Sequence, residues 1–433
     1  FLLMQFMKVC PIPNYYIEKN FVKIRNEILN NIYNLNFNQN HLKFLVSLSA
    51  QCFLNEYVYA ETDEEINKLD EIKKRIKKNI RNQEINELEV LILSCYSALN
   101  NYNWSKDINP SNDLLEIFKL QITNFNEEKK ESLKINSISN ISDIVSIKVK
   151  NQYEENPYPR WTNLGLSIRS KNLKDVLKDK DLDIDFEKIN FSEKIKILIS
   201  GCGTGQHAIT TASLYKNADI YALDLSLKSL SYAKRKAKEL GFKNINFIQG
   251  DLLDIKKLNK KFDLIESVGV LHHMSDPFLG WKILTDCLKD NSFMWIGLYS
   301  EIAREHIAEI RKDIKELKIK TSKDNIDSLR KKIFNNNNIK YNSLKNSPDF
   351  YSTSGIVDLL FHVQEHRFTI PKIIEYMKIL NLSFLGFEDT NIIKKFKKIY
   401  DKPRDIYDLN KWQKFENNNQ KVFSGMYQFW CQK

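Results

Sequence analysis

A turn built from three alternating glycines restricts the fold of this 433-residue chain more than any other feature. The turn follows the apolar run IKILIS at 195–200 and contains Gly201, Gly203 and Gly205. Glycine is needed where a side chain would collide with a ligand or force an unfavourable backbone angle. A helix that begins here would also present free N–H groups and the positive end of its dipole. The pattern therefore predicts a strand, a ligand-binding turn and a helix.

Strands and helices alternate after this turn. Further strands are predicted at 218–226, 244–251, 262–271 and 292–300, and helical patterns of 10–15 residues separate them. The segment 371–388 resumes the alternation as helix and strand, and the terminal VFSGMYQFWCQK supplies a last strand. This order predicts an α/β fold, a Rossmann-like, doubly wound parallel sheet.

The rest of the chain is predicted to be mainly helical. Apolar residues recur at three- and four-residue spacing in 41–60 and 84–102, which is typical of helices. We predict five segments: a helical domain at 1–145, a linker and aromatic lid at 146–192, the Rossmann-like core at 193–300, a helical insertion after the fifth strand at 301–370, and a part completing the sheet at 371–433.

Composition limits the classes of function. No run of 18 apolar residues occurs, so no membrane insertion is expected, and the opening FLLMQFMKV is a poor secretory signal. The six cysteines lie far apart without a CxxC pair, which disfavours a zinc site and predicts a reducing cytoplasm. The net charge of +11 is spread along the chain, which makes a nucleic-acid partner unlikely. The sequence carries no signal of its oligomeric state.

The spacing of the glycines indicates the type of cofactor. A dinucleotide fingerprint would have its third glycine at position 206, where this chain has Gln206. That difference favours a nucleoside with a small charged tail over a pyrophosphate. Asp224 ends the second strand, 19 residues after Gly205, where an acid accepts hydrogen bonds from ribose hydroxyls. Asp251, after the third strand, is placed to accept one from an adenine amino group.

These motifs resemble those of the class I S-adenosylmethionine-dependent methyltransferases. The runs that carry the likeness are ILISGCGTGQ, ALDLS, GD, FDLIESVGVLHH and GLYS, across about 193–300 and 371–433. The resemblance implies a seven-stranded sheet with an antiparallel last strand, S-adenosyl-L-methionine as cofactor and S-adenosyl-L-homocysteine as product. The three glycines would lie close to the methionine part of the cofactor. Asp224 would bind its ribose, and Asp251 its adenine amino group. Neighbouring residues are assigned to the same site: Cys202, Thr204, Gln206, Leu225, Leu252, Ser267 and Val268.

A narrower likeness extends over nearly the whole chain. The runs QCFLNEYV, QYEENPYPRW, GLYSEIAR, FYSTSGIVDLLFHVQEHRF and GMYQFW resemble a group of bacterial methyltransferases that often carry tetratricopeptide repeats upstream. No 34-residue period is visible here, and the likeness assigns no methyl acceptor.

The catalytic candidates follow the fourth strand. Methyl transfer from a sulfonium is an in-line displacement, so a base is useful but not obligatory. His272 and His273 lie where strand ends face the reacting centre, and either could take a proton or only shape the pocket. The Asn- or Asp-Pro-Pro-aromatic motif of amino-group methyltransferases is absent after this strand.

Other residues are candidates for the acceptor cavity. His362, Glu365 and His366 match the H-x-x-E-H zinc-protease pattern, which would place both histidines on one face of a helix. No protease fold is left to contain it, so we predict no metal and a helix that lines the acceptor cavity, with core packing as the alternative. The further candidates are Tyr153, Tyr158, Arg160 and Trp161 in the lid, and Tyr299, Arg304 and Tyr351.

The sequence thus predicts a cytoplasmic S-adenosylmethionine-dependent methyltransferase. A protein side chain is slightly preferred as acceptor, because the helical mass upstream could dock a protein. A small metabolite, methylated on oxygen or nitrogen, is nearly as well supported. A nucleic-acid methyltransferase and a non-catalytic S-adenosylmethionine-binding protein are the remaining alternatives.

Overall fold

A computed structural model describes residues 1–80, 84–338 and 341–433. The chain forms two compact units, each assembled from three stretches. Unit 1 consists of Phe1–Lys130, Tyr158–Asn163 and Ile314–Phe361. Unit 2 consists of Glu131–Pro157, Leu164–Asp313 and His362–Lys433.

Unit 2 is built around one eight-stranded sheet, with the strand order β1-β4-β3-β2-β5-β6-β8-β7. The strands are β1 (Asn136–Ser137), β2 (Ile195–Ser200), β3 (Ala218–Asp224), β4 (Ile245–Gln249), β5 (Phe262–Val268), β6 (Leu288–Leu298), β7 (Ser383–Phe387) and β8 (Tyr427–Gln432). Strands β1 to β6 pair in parallel, whereas β8 runs antiparallel to both β6 and β7. The α/β, Rossmann-like architecture predicted from the alternating pattern is therefore present.

The sheet has one strand more than the seven that the family resemblance implies. The additional strand is β1, whose two residues pair with Ile248 and Gln249 at the edge of the sheet. The next residue continues this contact, because the N–H of Ile138 donates to the carbonyl oxygen of Gln249 at 3.0 Å. Two residues give no strand periodicity, so the sequence pattern places this stretch in the helical domain at 1–145.

Nineteen α-helices occur in the described part of the chain. Before the sheet they are α1 (Leu2–Val9), α2 (Tyr15–Asn30), α3 (Gln39–Leu54), α4 (Asp63–Asn79), α5 (Glu87–Leu93), α6 (Leu115–Phe118), α7 (Asn124–Ser132), α8 (Ile144–Glu155) and α9 (Leu173–Lys178). Within and after it they are α10 (Gln206–Leu214), α11 (Leu227–Glu239), α12 (Pro277–Cys287), α13 (Glu305–Glu316), α14 (Lys323–Phe334), α15 (Asn342–Lys345), α16 (Thr353–Phe361), α17 (Ile370–Ile379), α18 (Thr390–Lys397) and α19 (Leu409–Asn418). None of them combines the length and the apolar character that a bilayer-spanning helix needs.

The ends of the helices follow from local capping. Helix α4 begins with a capping box, in which the Thr62 hydroxyl accepts from the N–H of Glu65 and the Glu65 carboxylate accepts from the N–H of Thr62. Helix α8 ends at Glu155, two residues before Pro157, as expected because proline cannot donate the next helical hydrogen bond.

The compact units divide the chain differently from the five predicted segments. Residues 314–361 lie within the predicted insertion, 301–370, yet they belong to unit 1 with the N-terminal helices. Residues 158–163, from the predicted lid, also belong to unit 1. The chain therefore passes from one unit to the other five times.

A buried ion pair joins two distant stretches of unit 1. The guanidinium of Arg330 on α14 donates to both carboxylate oxygens of Glu18 on α2, at 2.9 and 2.7 Å. Arg330 also donates to the carbonyl oxygens of Val58 and Phe350. Both charged side chains are less than 10% exposed, so each depends on the other for neutralisation.

We predict that Glu18→Ala lowers the free energy of unfolding by about 3–5 kcal/mol, because it leaves the Arg330 charge buried without its carboxylate. The matched control is Glu27→Ala on the same helix, which removes an exposed pair with Lys23 and should change stability by less than about 0.5 kcal/mol. Urea unfolding of both variants measures the difference. Equal losses in the two variants would contradict the assignment.

Candidate functional site

The glycine turn lies between the end of β2 and the start of α10. Gly201, Gly203 and Gly205 have φ angles of +68°, +51° and +85°, a region that side chains with a Cβ rarely adopt. A Cβ atom on Gly205 would also lie 2.4 Å from the Cβ of Ala233 on α11. The turn therefore needs glycine both for its backbone conformation and for the close approach of two helices.

Asp224 binds the backbone of this turn. Its carboxylate accepts from the N–H of Gly203 at 2.7 Å and from the N–H of Ser226 at 2.9 Å. Because β2 and β3 are parallel neighbours, the turn after one strand lies beside the last residue of the other. The pKa of Asp224 is raised to about 6, mainly by burial and to a lesser degree by the nearby carboxylate of Glu154, although the N–H donors oppose the shift.

Asp251 occupies the corresponding place after β4. It is buried, and its carboxylate caps a short helical turn, Leu252–Leu258, by accepting from the N–H of Leu253 at 3.0 Å. The ends of three adjacent parallel strands thus carry the glycine turn and two carboxylates on one edge of the sheet.

The other residues assigned to the cofactor lie on the same edge. Cys202, Thr204, Leu252 and Ser267 are buried, Leu225 and Val268 are half-buried, and Gln206 is exposed at the first position of α10. Burial raises the pKa of the Cys202 thiol well above its ordinary value, so this side chain is a neutral packing group. Contact of these residues with a cofactor stays a prediction.

We predict that Gly205→Ala destabilises the protein by about 2–4 kcal/mol, because the steric overlap with Ala233 adds to the backbone strain. Gly241→Ala is the matched control: it has φ +82° but nothing within 4 Å of the added Cβ, so only about 1 kcal/mol of strain is expected. Urea unfolding compares the two variants, and a loss in Gly205→Ala no larger than in Gly241→Ala would refute the steric explanation.

A cluster of histidines follows the end of β5. His272 and His273 lie in the short helical turn Leu271–His273, and their ring centroids are 4.3 Å apart. His272 stacks on Tyr299 at 3.8 Å, and His273 stacks on His362 at 3.6 Å. The structure therefore brings together predicted site residues from the ends of β5 and β6 and from a later segment of unit 2.

The segment from His362 to His366 is not helical, which corrects the sequence prediction. Helix α16 ends at Phe361, and the following backbone bonds to other segments of the chain instead of to itself. The N–H of His366 donates to the carbonyl oxygen of His272 at 2.7 Å, and that of Phe368 donates to Tyr299. The one-turn spacing of His362 and His366 therefore has no zinc-protease geometry.

Both histidines after β5 are neutral at physiological pH. Burial lowers the pKa of His272 well below its ordinary value and that of His273 to about 4. Neither ring nitrogen of His272 has a hydrogen-bond partner within the described residues, whereas Nδ1 of His273 lies 2.7 Å from the carbonyl oxygen of Gln364. Either ring has a lone pair that can accept a proton, although each is a weak base.

An ion-pair cluster holds the 362–367 segment in unit 2. The Glu365 side chain is 2% exposed and accepts from Arg304 Nη2 at 2.9 Å, and Arg311 and Arg367 lie within 4 Å of it. Burial alone would raise the pKa of Glu365, but Arg304 and Arg311 hold it below its ordinary value. The Arg304 guanidinium also lies over the Tyr299 ring at 3.6 Å.

Four residues predicted for the acceptor site lie in unit 1 instead. The Tyr158 hydroxyl donates to Asp349, and the Tyr351 hydroxyl donates to the carbonyl oxygen of Lys345. Arg160 pairs with Glu56 at 3.4 Å, and Trp161 is buried. The part of these four residues in acceptor binding stays a prediction.

Two residues of this site, Glu154 and Gln364, are not among those predicted from the sequence. The Glu154 carboxylate on α8 accepts from the N–H groups of Leu227 and Lys228 and so caps α11 beside Asp224. Its neighbour Tyr153, a predicted acceptor residue, has its ring 5.7 Å from that of His362. Gln364 contacts His273 through its backbone carbonyl oxygen, for which the sequence carries no signal. An acid next to the aromatic run at 151–161 was the available signal for Glu154.

Comparison with known proteins agrees with this geometry. A family model described as a methyltransferase domain matches residues 191–346, which include the glycine turn and both carboxylates. Over these residues the chain is similar to a methyltransferase domain.

Three curated relatives resemble parts of the chain. An uncharacterised protein of Synechococcus sp. is 30% identical over 235 residues, 51% of this chain and 55% of that protein. A probable (S)-tetrahydroprotoberberine N-methyltransferase 2 of Papaver bracteatum is 25% identical over 122 residues, 28% of this chain and 34% of that protein. A release factor glutamine methyltransferase of Flavobacterium psychrophilum is 39% identical over 80 residues, 18% of this chain and 28% of that protein. The matches thus span about half the length of these relatives or less.

Proposed function

We propose that the protein is an S-adenosylmethionine-dependent methyltransferase that moves a methyl group to a nucleophile by in-line displacement. The observation that carries the proposal is the glycine turn after β2, bonded to a carboxylate at the end of β3, within a matched methyltransferase domain. The cofactor supplies an activated methyl group on a sulfonium. The protein then has to bind the cofactor, orient the nucleophile and exclude water.

The residues of the turn fit such a cofactor. The helix start at Gln206 presents free N–H groups and a positive dipole end to the carboxylate of the methionine part. Asp224 would accept hydrogen bonds from the ribose hydroxyls, and Asp251 from the adenine amino group. Gly201, Gly203 and Gly205 let the backbone approach the ligand closely, because none of them carries a side chain.

We propose a protein side chain as the methyl acceptor. One relative, 39% identical over 80 residues, is named as a release factor glutamine methyltransferase. All eight strands lie in unit 2, so unit 1 adds a helical body that offers surface for docking a protein. The scattered cysteines also favour a cytoplasmic location, as the sequence analysis predicts.

A small metabolite is the second candidate. Another relative is named as an N-methyltransferase of a tetrahydroprotoberberine, which is a small molecule. The histidine cluster at the ends of β5 and β6 supports an enclosed acceptor site of either kind, with His272 or His273 receiving the proton. A nucleic-acid substrate and a non-catalytic binding role stay as weaker alternatives.

The first test is calorimetric titration with S-adenosylmethionine, with NAD as control. We predict micromolar binding of the first ligand alone, because the turn lacks the third glycine of a dinucleotide site. Binding of NAD instead, or of neither ligand, would overturn the proposed cofactor.

We predict that Asp224→Ala weakens binding of S-adenosylmethionine by about 2 kcal/mol, because charge-assisted hydrogen bonds to the ribose are lost. The matched control is Asp219→Ala on the same strand, where the carboxylate pairs with Lys194 at 2.9 Å away from the turn. The control should bind the cofactor normally. An unchanged dissociation constant in Asp224→Ala would remove the ribose assignment.

The raised pKa of Asp224 predicts a pH dependence of cofactor binding. Ribose hydroxyls donate to the ionised carboxylate, so affinity should rise as the pH increases through about 6 and then level off. In the ligand-free protein, the contribution of Asp224 to folding stability depends on pH in the opposite direction. The folded state holds this proton more tightly than the unfolded chain, so the contribution of Asp224 to stability falls as the pH rises through about 6.

Calorimetry between about pH 5 and pH 7.5 measures this dependence. Asp224→Asn, which cannot ionise, should bind more weakly with an affinity that changes little over the same range. An equally steep profile in this variant would assign the titration to another group.

A further inference from the structure

A cavity of about 590 Å³ lies in unit 2, outside the residues assigned to the cofactor. Its polar lining consists of Glu301, Glu305, Arg367, Asn417 and Gln420, and two apolar side chains complete it. The volume falls within the range of about 300–1,000 Å³ that is typical of small-molecule sites. Glu301 is the third residue after β6, so the cavity belongs to the edge of the sheet at which open α/β folds bind their ligands.

Buried hydrogen bonds hold the walls of this cavity together. The Glu416 carboxylate on α19 is 1% exposed and accepts from the hydroxyls of Ser300 and Tyr427, both at 2.7 Å. The bond to Ser300 joins the turn after β6 to α19. The N–H of Glu301 donates to the carbonyl oxygen of Phe368 at 2.8 Å, which joins the same turn to the segment before α17. The cavity is therefore preformed, as small-molecule sites usually are.

Two carboxylates line one wall of the cavity. Glu301 and Glu305 are four residues apart, and the chain between them turns nearly as a helix does, since the N–H of Glu305 donates to the carbonyl oxygen of Ile302. In the part of the chain that the structure describes, neither carboxylate has an ion-pair partner. A concave surface with charges of one sign attracts the opposite charge, so this wall favours a cationic group.

A guanidinium group lines another wall. Arg367 lies 3.7 Å from the buried carboxylate of Glu365. That carboxylate also accepts from Arg304 at 2.9 Å and lies 3.6 Å from Arg311. One carboxylate does not neutralise three guanidinium groups, so positive charge remains at Arg367. This wall therefore favours an anionic group, and a planar guanidinium matches the two oxygens of a carboxylate.

We propose that this cavity binds a free α-amino acid as a zwitterion, with its ammonium group held by Glu301 and Glu305 and its carboxylate held by Arg367. An ammonium group has three N–H donors and no acceptor, which suits two carboxylates. This inference goes beyond methyl transfer, because none of the lining residues is assigned to the cofactor or to the methyl acceptor.

Other ligand classes match fewer of these groups. An amine without a carboxylate leaves the Arg367 charge without a counter-ion, and a carboxylic acid without an ammonium group leaves both glutamates without one. A free amino acid carries both charges on a single carbon atom. Asn417 and Gln420 each offer an N–H donor and a carbonyl acceptor, so they can bind polar atoms of the ligand's side chain.

The test is calorimetric titration of the full chain with each of the common amino acids in turn. We expect at least one of them to bind with a dissociation constant below about 1 mM. For that amino acid, the amine that lacks the carboxylate and the N-acetyl derivative should each bind at least about tenfold more weakly, because each loses a charge-assisted contact. Failure of every amino acid to bind, or equal binding of either derivative, overturns the proposal.

Variants assign the binding to this cavity. Glu305→Gln and Arg367→Gln each remove one charge and should weaken binding at least about tenfold. The matched control is Glu309→Gln, which changes an exposed glutamate of α13 outside the cavity lining and should leave the affinity unchanged. Glu305 is itself exposed, so its replacement should not disturb folding, which urea unfolding checks. Equal affinity in Glu305→Gln and the unchanged protein overturns the proposal.

The cofactor requires a separate control, because S-adenosylmethionine itself contains an amino-acid group. Titration in the presence of saturating S-adenosylmethionine should leave the affinity for the amino acid unchanged. Loss of binding under this condition would place the ligand at the glycine turn and overturn the proposal. Calorimetry with S-adenosylmethionine alone tests the proposed function, so a failure there is distinguished from a failure of the amino-acid site.

Discussion

The candidate site depends on one constraint, the contact between the turn after β2 and the carboxylate at the end of β3. The parallel register places Ser200 beside Leu223, so the next residues of both strands must share the same small space. The turn that fits there has glycine at every second position, and the N–H of Gly203 supplies the donor that a buried carboxylate requires. Helix α10 then starts at a fixed point, packed against α11 through Gly205 and Ala233.

Much of this arrangement could be predicted from the sequence, because its signals are local. The apolar run of β2 is buried almost throughout, as a hydrophobic strand of a parallel sheet should be. The three glycines have positive φ angles, and Asp224 lies against them as its distance along the chain suggested. In both cases the residue type by itself indicates the backbone conformation or the burial that the position requires.

The parts that could not be predicted depend on contacts between distant residues. The histidines from His362 to His366 have a helical spacing. The backbone of this stretch nevertheless forms hydrogen bonds with residues after β5 and β6 instead of the bonds of a helix. Strand β1 consists of two residues whose pairing partner lies more than 100 positions later. Gln364 contacts His273 through its backbone carbonyl oxygen, which every residue possesses, so the type of side chain does not predict this contact.

The route of the chain has a consequence for how this protein could have evolved. Because the chain changes unit five times, neither unit corresponds to a continuous stretch of the gene. Exchanging unit 1 with that of a relative would require three separate segments to be replaced together. Recombination at a single junction would leave each unit with a mixture of pieces. We therefore expect the two units to have diverged as a pair, in contrast to domains that are joined by one linker and shuffled independently.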